Sequence, residues 1–180
     1  ESYGGSVVRP RGEGDSRFAV FSRATDAVGA ACSLQQALFA ESWPTPAPLR
    51  VRIALHVGEA EVREGDYYGS AVNRCARLRA AAHGGQTLLS LATAELVRDA
   101  LPAGAEMRDL GEHRLKDLAR PERIFQLVIP NVPAEFPPLK TLESHPHNLP
   151  IQRTPLVGRE REVATVRDLL RDPAVRLVTL

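Results

Sequence analysis

The first 129 residues alternate between the apolar spacing of strands and that of helices. Ser6–Arg11 and Phe18–Phe21 flank the glycine-rich stretch GEGD at 12–15, a pattern that predicts a β-hairpin with a tight turn. A helix is predicted next, before prolines 44, 46 and 48. Its apolar face is formed by residues three or four positions apart, namely Ala24, Ala27, Val28, Ala31, Leu34 and Leu38.

The pattern then predicts shorter elements. Leu49–Val62 alternates apolar and polar side chains and predicts one long strand. Beyond a turn signal at Gly65-Asp66, Ser70–Ala82 predicts a second helix, closed at its C-terminus by Gly84-Gly85. A strand at 87–90, a helix at 93–101 and closing strands at 107–115 and 124–129 complete the series. Because strands and helices alternate, we expect an α+β or α/β sandwich on one sheet.

Half of the 14 prolines lie between Pro130 and Pro155, where no apolar period is sustained. This composition is typical of an extended linker with partial polyproline II character. The sequence therefore predicts a body at 1–129, a proline-rich linker at 130–155 and a short α/β stub at 156–180. In the stub, Pro173 and a predicted strand at 175–180 follow a helix face made of Val163, Val166, Leu169 and Leu170.

Composition and charge exclude several classes of function. Hydrophobic residues make up 43% of the 180 residues, and 23 basic against 22 acidic residues leave a net charge of +1. A dedicated nucleic-acid binder would carry a basic face or tail, which this sequence lacks. No apolar run approaches the ~18 residues of a membrane span, and no secretion signal is visible at the start. We therefore expect no membrane contact and a cytoplasmic location.

Individual residue types add three expectations. Cys32 and Cys75 lack the spacing of a metal site or disulfide framework and are predicted to be buried small apolar residues. All but two of the 23 basic residues are Arg, so an arginine at one position carries little information. The sequence begins at Glu1 rather than Met and ends in a predicted strand, which indicates a fragment.

Two acidic residues near turns are candidate ligands. Asp15 is at the tip of the predicted hairpin, where its carboxylate could bind a hard cation such as Mg²⁺, although Asp after Gly is common turn chemistry. Asp66 follows a glycine in a second turn. An ionised carboxylate only accepts hydrogen bonds, so Asp66 beside a purine would favour the amino group of adenine over the carbonyl of guanine.

Three further polar residues are candidates for nucleotide contacts. Asn73 and Arg77 are four residues apart on one predicted helix and share a face. An amide next to a guanidinium could orient a sugar and neutralise phosphate charge; the alternative is an ordinary solvated helix face. Arg11 lies four residues before Asp15, and in an arginine-rich chain a surface role is the simple interpretation.

These residues lie in four ordered motifs: GGSVVRPRGEGDSRFAVF, LRVRIALHVGEA, GDYYGSAVNRCARLRAAAHGGQTLLS and DLGEHRLKDLARPERIFQL. Together they resemble the catalytic domain of the class III adenylate/guanylate cyclases, over nearly all of residues 4–129. The resemblance implies a ferredoxin-like α/β sandwich that acts as a head-to-tail homodimer with active sites at the interface. It also implies conversion of a nucleoside triphosphate to a 3′,5′-cyclic nucleotide and pyrophosphate, with two Mg²⁺ or Mn²⁺ ions.

The resemblance also assigns roles to residues. Asp15 matches the second of two metal-binding aspartates, and Asp66 matches the purine-reading residue, where Asp is the choice of adenylate cyclases. ATP is therefore the expected substrate and GTP the less expected one. Asn73 matches the asparagine that orients the ribose, and Arg77 matches the arginine that stabilises the pentacovalent phosphorus. A preorganised guanidinium suits that role because it meets charge growing in the transition state.

Two departures from the family pattern leave an alternative open. Arg11 stands where the family usually has a lysine that contacts the base, and the two side chains are not interchangeable at a fitted site. The family's first metal aspartate lies on a strand that is expected before residue 1, so the fragment lacks its first strand and by itself should be inactive. The alternative to an enzyme is an inactive cyclase-like module that senses nucleotide or dimerises.

The end of the chain carries a second resemblance. Residues 148–180, NLPIQRTPLVGREREVATVRDLLRDPAVRLVTL, resemble the start of a STAND-type ATPase. Such ATPases occur in bacterial regulators that join them to a cyclase domain and often to a LuxR-type DNA-binding domain. The predicted strand at 175–180 would precede a phosphate-binding GxxxxGK[ST] loop, which is not in this sequence. The resemblance implies a downstream ATPase domain in a larger signalling regulator.

Overall fold

The computed structural model describes residues 3–8, 16–141, 160–171 and 173. The chain divides into two units, residues 1–145 and residues 146–180. Within the second unit, the helix Glu160–Arg171 agrees with the helix predicted there, and the strand predicted at 175–180 lies outside the described residues. None of the described helices is both long and apolar enough to cross a membrane.

The described residues of the first unit form eight strands and three helices. In chain order these are β1 (Ser6–Val8), β2 (Phe18–Val20), α1 (Ala24–Ala40), β3 (Ile53–Leu55), β4 (Glu61–Arg63), β5 (Asp66–Tyr68), α2 (Ser70–Ala81), β6 (Thr87–Ser90), α3 (Leu91–Val97), β7 (Glu106–His113) and β8 (Glu122–Val128). The helix of the second unit is α4. β1 and β2 pair antiparallel, which confirms the predicted hairpin strands; the turn between them lies outside the described residues.

A four-stranded sheet in the order β3-β6-β8-β7 carries the core. β3 and β6 run parallel, and the other neighbours are antiparallel. Successive strand residues point to opposite faces. Leu88 packs with Leu78 of α2 on one face. Leu89 packs on the other face with Val28 of α1 and Val97 of α3, so helices cover both sides of the sheet.

The prediction of a single sheet is wrong, because the described residues form three sheets. β1 with β2, and β4 with β5, make separate two-stranded sheets. The edges of the four-stranded sheet also differ from each other. At one edge, β7 carries charged side chains such as Asp109, which accepts hydrogen bonds from Arg123 of β8. At the other edge, no described strand pairs with the outer side of β3, an Ile-Ala-Leu strand.

The single long strand predicted at Leu49–Val62 is also wrong. Only its central part joins the four-stranded sheet as β3, and its end pairs with β5 as β4. β6 stops at Ser90, where α3 begins, so the backbone beyond Leu55 has no neighbouring strand to pair with on that side. Gly58 also approaches α2 so closely that a Cβ there would lie 2.8 Å from the Cβ of Ala71.

The end of α2 differs from the prediction. α2 ends at Ala81, so Gly84 and Gly85 lie beyond its cap. They form the turn into β6 instead, where Gly85 adopts a φ of +88°.

Cys75 of α2 is only partly buried rather than buried, whereas Cys32 is buried as predicted.

The boundaries of α3 shift for a local reason. The side-chain oxygen of Ser90 accepts a hydrogen bond from the N–H of Thr93, so Ser90 caps the helix at its N-terminus. α3 therefore begins two residues earlier than predicted, and it ends at Val97 rather than at 101.

The C-terminal segment, defined here as residues 130–141, packs against the rest of the first unit. It has no helix or strand, as expected of a proline-rich stretch. Leu139 nevertheless is buried in the core cluster that contains Leu78. The N–H of Lys140 donates a hydrogen bond to the carbonyl oxygen of Ala81 at 3.0 Å, which ties the segment to the end of α2.

Candidate functional site

A sharp connection between β5 and α2 positions the candidate residues. Glu64 and Gly65 make the turn before β5, with φ of 51° and 76°, so Asp66 is a strand residue rather than a turn residue. After β5, Gly69 adopts a φ of 127°, a conformation that is essentially limited to glycine. The strand that carries Asp66 thus enters α2 through a fixed bend.

Asp66 is half-buried on β5. Its Oδ1 accepts a hydrogen bond from the N–H of Tyr67 at 2.8 Å. The ring of Tyr67 meets the ring of Phe18 edge-on, with 6.2 Å between the ring centroids. Because Phe18 belongs to β2, Asp66 lies on a strand that contacts the first hairpin.

Asn73 and Arg77 lie one helical turn apart on the same face of α2. Asn73 is exposed and Arg77 is partly exposed. Nη2 of Arg77 lies 2.6 Å from Oδ2 of Asp117, a residue of the connection between β7 and β8. An accessible amide and an accessible guanidinium on one face can contact a ligand with hydroxyl and phosphate groups.

Arg74, on the same helix, forms an ion pair with Glu122 at the start of β8. The side chain of Glu122 is only 8% exposed. A buried carboxylate needs a paired cation, so this ion pair holds α2 against the sheet. The sequence pattern does not single out Arg74, Glu122 or Asp117. The available signal is the run of arginines at 74, 77 and 79.

A cavity of about 680 Å³ opens beside this ion pair. Its lining includes His56, Ser70, Arg74 and Glu122. Nδ1 of His56 lies 2.7 Å from Oγ of Ser90. Burial, followed by the positive charge of Arg74, lowers the pKa of His56 below its ordinary value, whereas Glu122 acts in the opposite direction. His56 is therefore uncharged at neutral pH.

Two of the five predicted site residues, Arg11 and Asp15, lie outside the described residues. The next residue, Ser16, accepts a hydrogen bond from Nη1 of Arg79 at 2.7 Å. The chain that follows Asp15 is therefore held beside α2. Within the part of the chain that the structure describes, no group of three His, Cys, Asp or Glu side chains could hold a metal ion.

Comparisons with known proteins relate the chain to relatives of greater length. No protein-family model matches it. An uncharacterised protein of Mycobacterium tuberculosis is 46% identical over 164 residues, which make up 91% of this chain and 55% of that protein. The chain therefore spans about half the length of these curated relatives.

One solved structure decides the family. The crystal structure of an adenylate/guanylate cyclase/hydrolase from Silicibacter pomeroyi is 30% identical, with a TM-score of 0.63 over 72% of this chain and 75% of that chain. The chain belongs to the class III adenylate/guanylate cyclase family. A Trypanosoma brucei adenylate cyclase structure, 23% identical, shares the fold with a TM-score of 0.66 over 77% of this chain and 75% of that chain.

Membership of the cyclase family confirms the α+β class and the nucleotide cyclase fold expected from the motifs. In this cyclase domain, the bend at Gly69 joins the strand of Asp66 to the helix of Asn73 and Arg77. Three of the five predicted residues thus belong to one continuous strand–helix unit.

Proposed function

We propose that this chain carries the catalytic domain of an adenylate cyclase, which converts ATP to 3′,5′-cyclic AMP and pyrophosphate. One observation carries the proposal. In a chain of the cyclase family, Asn73 and Arg77 share an accessible face of α2, and this helix is entered directly from the strand of Asp66.

Each of these residues has a role that its chemistry suits. The carboxylate of Asp66 accepts a hydrogen bond from the amino group of adenine, so ATP binds in preference to GTP. The side-chain amide of Asn73 orients the ribose. The guanidinium of Arg77 stabilises negative charge that develops on the phosphorus as the 3′-oxygen attacks, and it does so without reorganisation if it is held in place beforehand. Arg11 contacts the purine from the first hairpin.

We assign Asp15 to the binding of Mg²⁺ or Mn²⁺. Carboxylate oxygens are the ligands that these hard cations prefer. When bound, such ions lower the pKa of the 3′-hydroxyl and neutralise triphosphate charge. A single carboxylate provides too few ligands to bind two divalent ions. The proposed site therefore includes a second aspartate, on a strand that precedes residue 1 in the whole protein. The active unit is a head-to-tail homodimer with sites at the interface.

In the whole protein, the domain is proposed to precede an ATPase domain in a cytoplasmic signalling regulator, as the resemblance of residues 148–180 implies. This fragment is proposed to bind neither nucleic acid nor membrane. Arg11, which replaces the usual lysine, favours one other function: an inactive module that senses nucleotide or pairs subunits for the ATPase.

The test is an assay for cyclic AMP with the full-length protein, ATP and either Mg²⁺ or Mn²⁺. Arg77→Ala is expected to lower the rate by on the order of 100-fold, since one preorganised charge is lost. Asn73→Ala should lower it as well. The matched control is Arg98→Ala, which removes an exposed arginine directly after α3 that pairs with Glu95, and should leave the rate unchanged.

Three results would each contradict a part of the proposal. If cyclic AMP formation persists at the parent rate in Arg77→Ala, the assigned roles are wrong. If the parent protein binds nucleotide but makes no cyclic product, the domain is the inactive sensing module. Equal rates with ATP and GTP would overturn the role given to Asp66.

A further inference from the structure

Asp117 is held at the tip of the connection between β7 and β8. Leu115 is buried, Leu118 packs against the same core cluster, and the N–H of Leu118 donates to the carbonyl oxygen of Leu115 at 3.3 Å. Asp117, between them, has a φ of +62°. Few residues other than glycine adopt this conformation, and Asp and Asn are among those that tolerate it. The two leucines therefore anchor a tight turn that presents Asp117 to solvent.

This turn brings Asp117 beside Arg77, the residue that is proposed to stabilise the charge on the phosphorus. Its Oδ2 lies 2.6 Å from Nη2 of Arg77, within the range of a charge-assisted hydrogen bond. A carboxylate in this place presents oxygen acceptors to the guanidinium, as a phosphate group would. The contact thus occupies the group that is proposed to stabilise the phosphorus.

Two ion pairs of α2 differ in their access to water. Arg74 and Glu122 have side chains that are 35% and 8% exposed, so separating them would leave a buried carboxylate without a partner. Arg77 and Asp117 are 41% and 58% exposed. Exposed ion pairs contribute little free energy, and each partner is readily solvated when they separate. The first pair is therefore structural, and the second can exchange its anion.

We propose that Asp117 holds Arg77 in place while the site is empty and is displaced when the phosphates of the nucleotide bind. This inference rests on the role proposed for Arg77. Asp117 cannot stay beside the guanidinium when a triphosphate arrives, because like charges at contact distance repel. The carboxylate is thus a positioning residue for Arg77 and an internal competitor of the substrate.

The test measures binding of 2′,3′-dideoxy-ATP with Mg²⁺ to the full-length protein by calorimetry, since this analogue has no 3′-hydroxyl and cannot be cyclised. Asp117→Asn is expected to lower the Kd by about two- to fivefold, the range that loss of an exposed ion pair supports. Asparagine tolerates the left-handed backbone, so the turn is retained. Asp117→Gly, which also removes the carboxylate and suits that backbone, should give the same gain.

Two controls isolate the contact. Asp109→Asn removes the same charge from an exposed aspartate that pairs with Arg123 on the sheet, and it should leave the Kd unchanged. In an Arg77→Ala background, Asp117→Asn should have no further effect, because Asp117 acts through Arg77.

The outcomes separate this inference from the proposed function. An unchanged Kd in both Asp117 variants, an equal gain in Asp109→Asn, or a gain that persists without Arg77 would each overturn the role of Asp117 and leave the proposed function standing. If the parent protein and all variants fail to bind the analogue, the proposed function fails and this inference fails with it.

Discussion

At the scale of single residues, His56 couples the stability of the domain to pH. Its ring lies beside Ser90 and near the Arg74–Glu122 ion pair. Burial and the charge of Arg74 lower its pKa in the folded state below the ordinary value of 6.5. When the pH falls through that ordinary value, the unfolded chain takes up a proton that the folded chain does not. Protonation therefore favours unfolding, and stability falls on the acidic side.

The expected result is a free energy of unfolding that decreases from about pH 7.5 to about pH 5.5 more steeply in the parent protein than in His56→Asn. Asparagine retains a polar group for Ser90 and does not titrate. Urea unfolding, followed by the fluorescence of Trp43, the one tryptophan of the chain, measures both slopes. Trp43 reports on the first unit because its indole N–H donates to the carbonyl oxygen of Leu38. Parallel slopes in the two proteins would show that His56 does not carry the effect.

The sequence alone predicts which residues are neighbours when they lie close together along the chain. Helical spacing places Asn73 and Arg77 on one face without any knowledge of the fold, and the structure has them on one helix. The ion-pair partners of the α2 arginines are distant in sequence and cannot be predicted in this way. Glu122 and Asp117 reach this helix only because the β7–β8 pair folds back along the sheet, which no spacing within the motif encodes.

At the scale of elements, the C-terminal segment supports the helix that carries the candidate site. Leu139 packs in the cluster of Leu78 and Ala81, both on α2, and the next residue bonds to the end of that helix. A segment whose composition is typical of a linker thus completes the core under α2. Its proline content predicts the absence of helix and strand but does not show the packing, in which Leu139 is buried.

Leu139→Ala is expected to lower the free energy of unfolding by about 2–4 kcal/mol, because it removes buried methyl groups and leaves a cavity. The same Trp43 fluorescence in urea measures the change. Leu96→Ala provides the matched control, since Leu96 on α3 is 61% exposed and its loss should cost less than about 0.5 kcal/mol. Similar losses in the two variants would mean that the C-terminal segment does not support the core.

How well the sequence predicts a helix or strand depends on the length of that element. The apolar period of α1 and α2 extends over several turns, so both helices are predicted close to their observed bounds. β4 and β5 have three residues each, too few to show a period, so the sequence pattern predicts a longer strand over most of β4 and a turn at the start of β5. The end of a strand depends on its neighbour in the sheet. β3, for example, ends close to where its neighbour β6 ends.

At the scale of the whole molecule, the proposed head-to-tail dimer predicts rescue between two strongly impaired variants of the full-length protein. Asp15→Ala and Arg77→Ala should each lose nearly all activity alone, because each damages both sites. If one site takes its metal ligand from one subunit and Arg77 from the other, a mixed dimer has one intact site. Equal mixing should then restore about a quarter of the parent rate of cyclic AMP formation.

A mixture of Asn73→Ala with Arg77→Ala is the control for this rescue. Both residues lie on one helix of one subunit, so every mixed dimer has a defect in each site, and no activity should return. Restoration in this mixture, or none in the first, would contradict sites shared between subunits.

The side of β3 that no described strand covers affects how any association of this 180-residue chain should be interpreted. Its outer backbone N–H and C=O groups form a template for a strand of a second molecule, and its Ile-Ala-Leu side chains carry no charge to discourage that pairing. Two chains joined there would form one continuous sheet and would have twice the mass of the monomer. They would not have the proposed catalytic interface. A measured dimer mass alone therefore does not distinguish this edge-paired dimer from the active dimer.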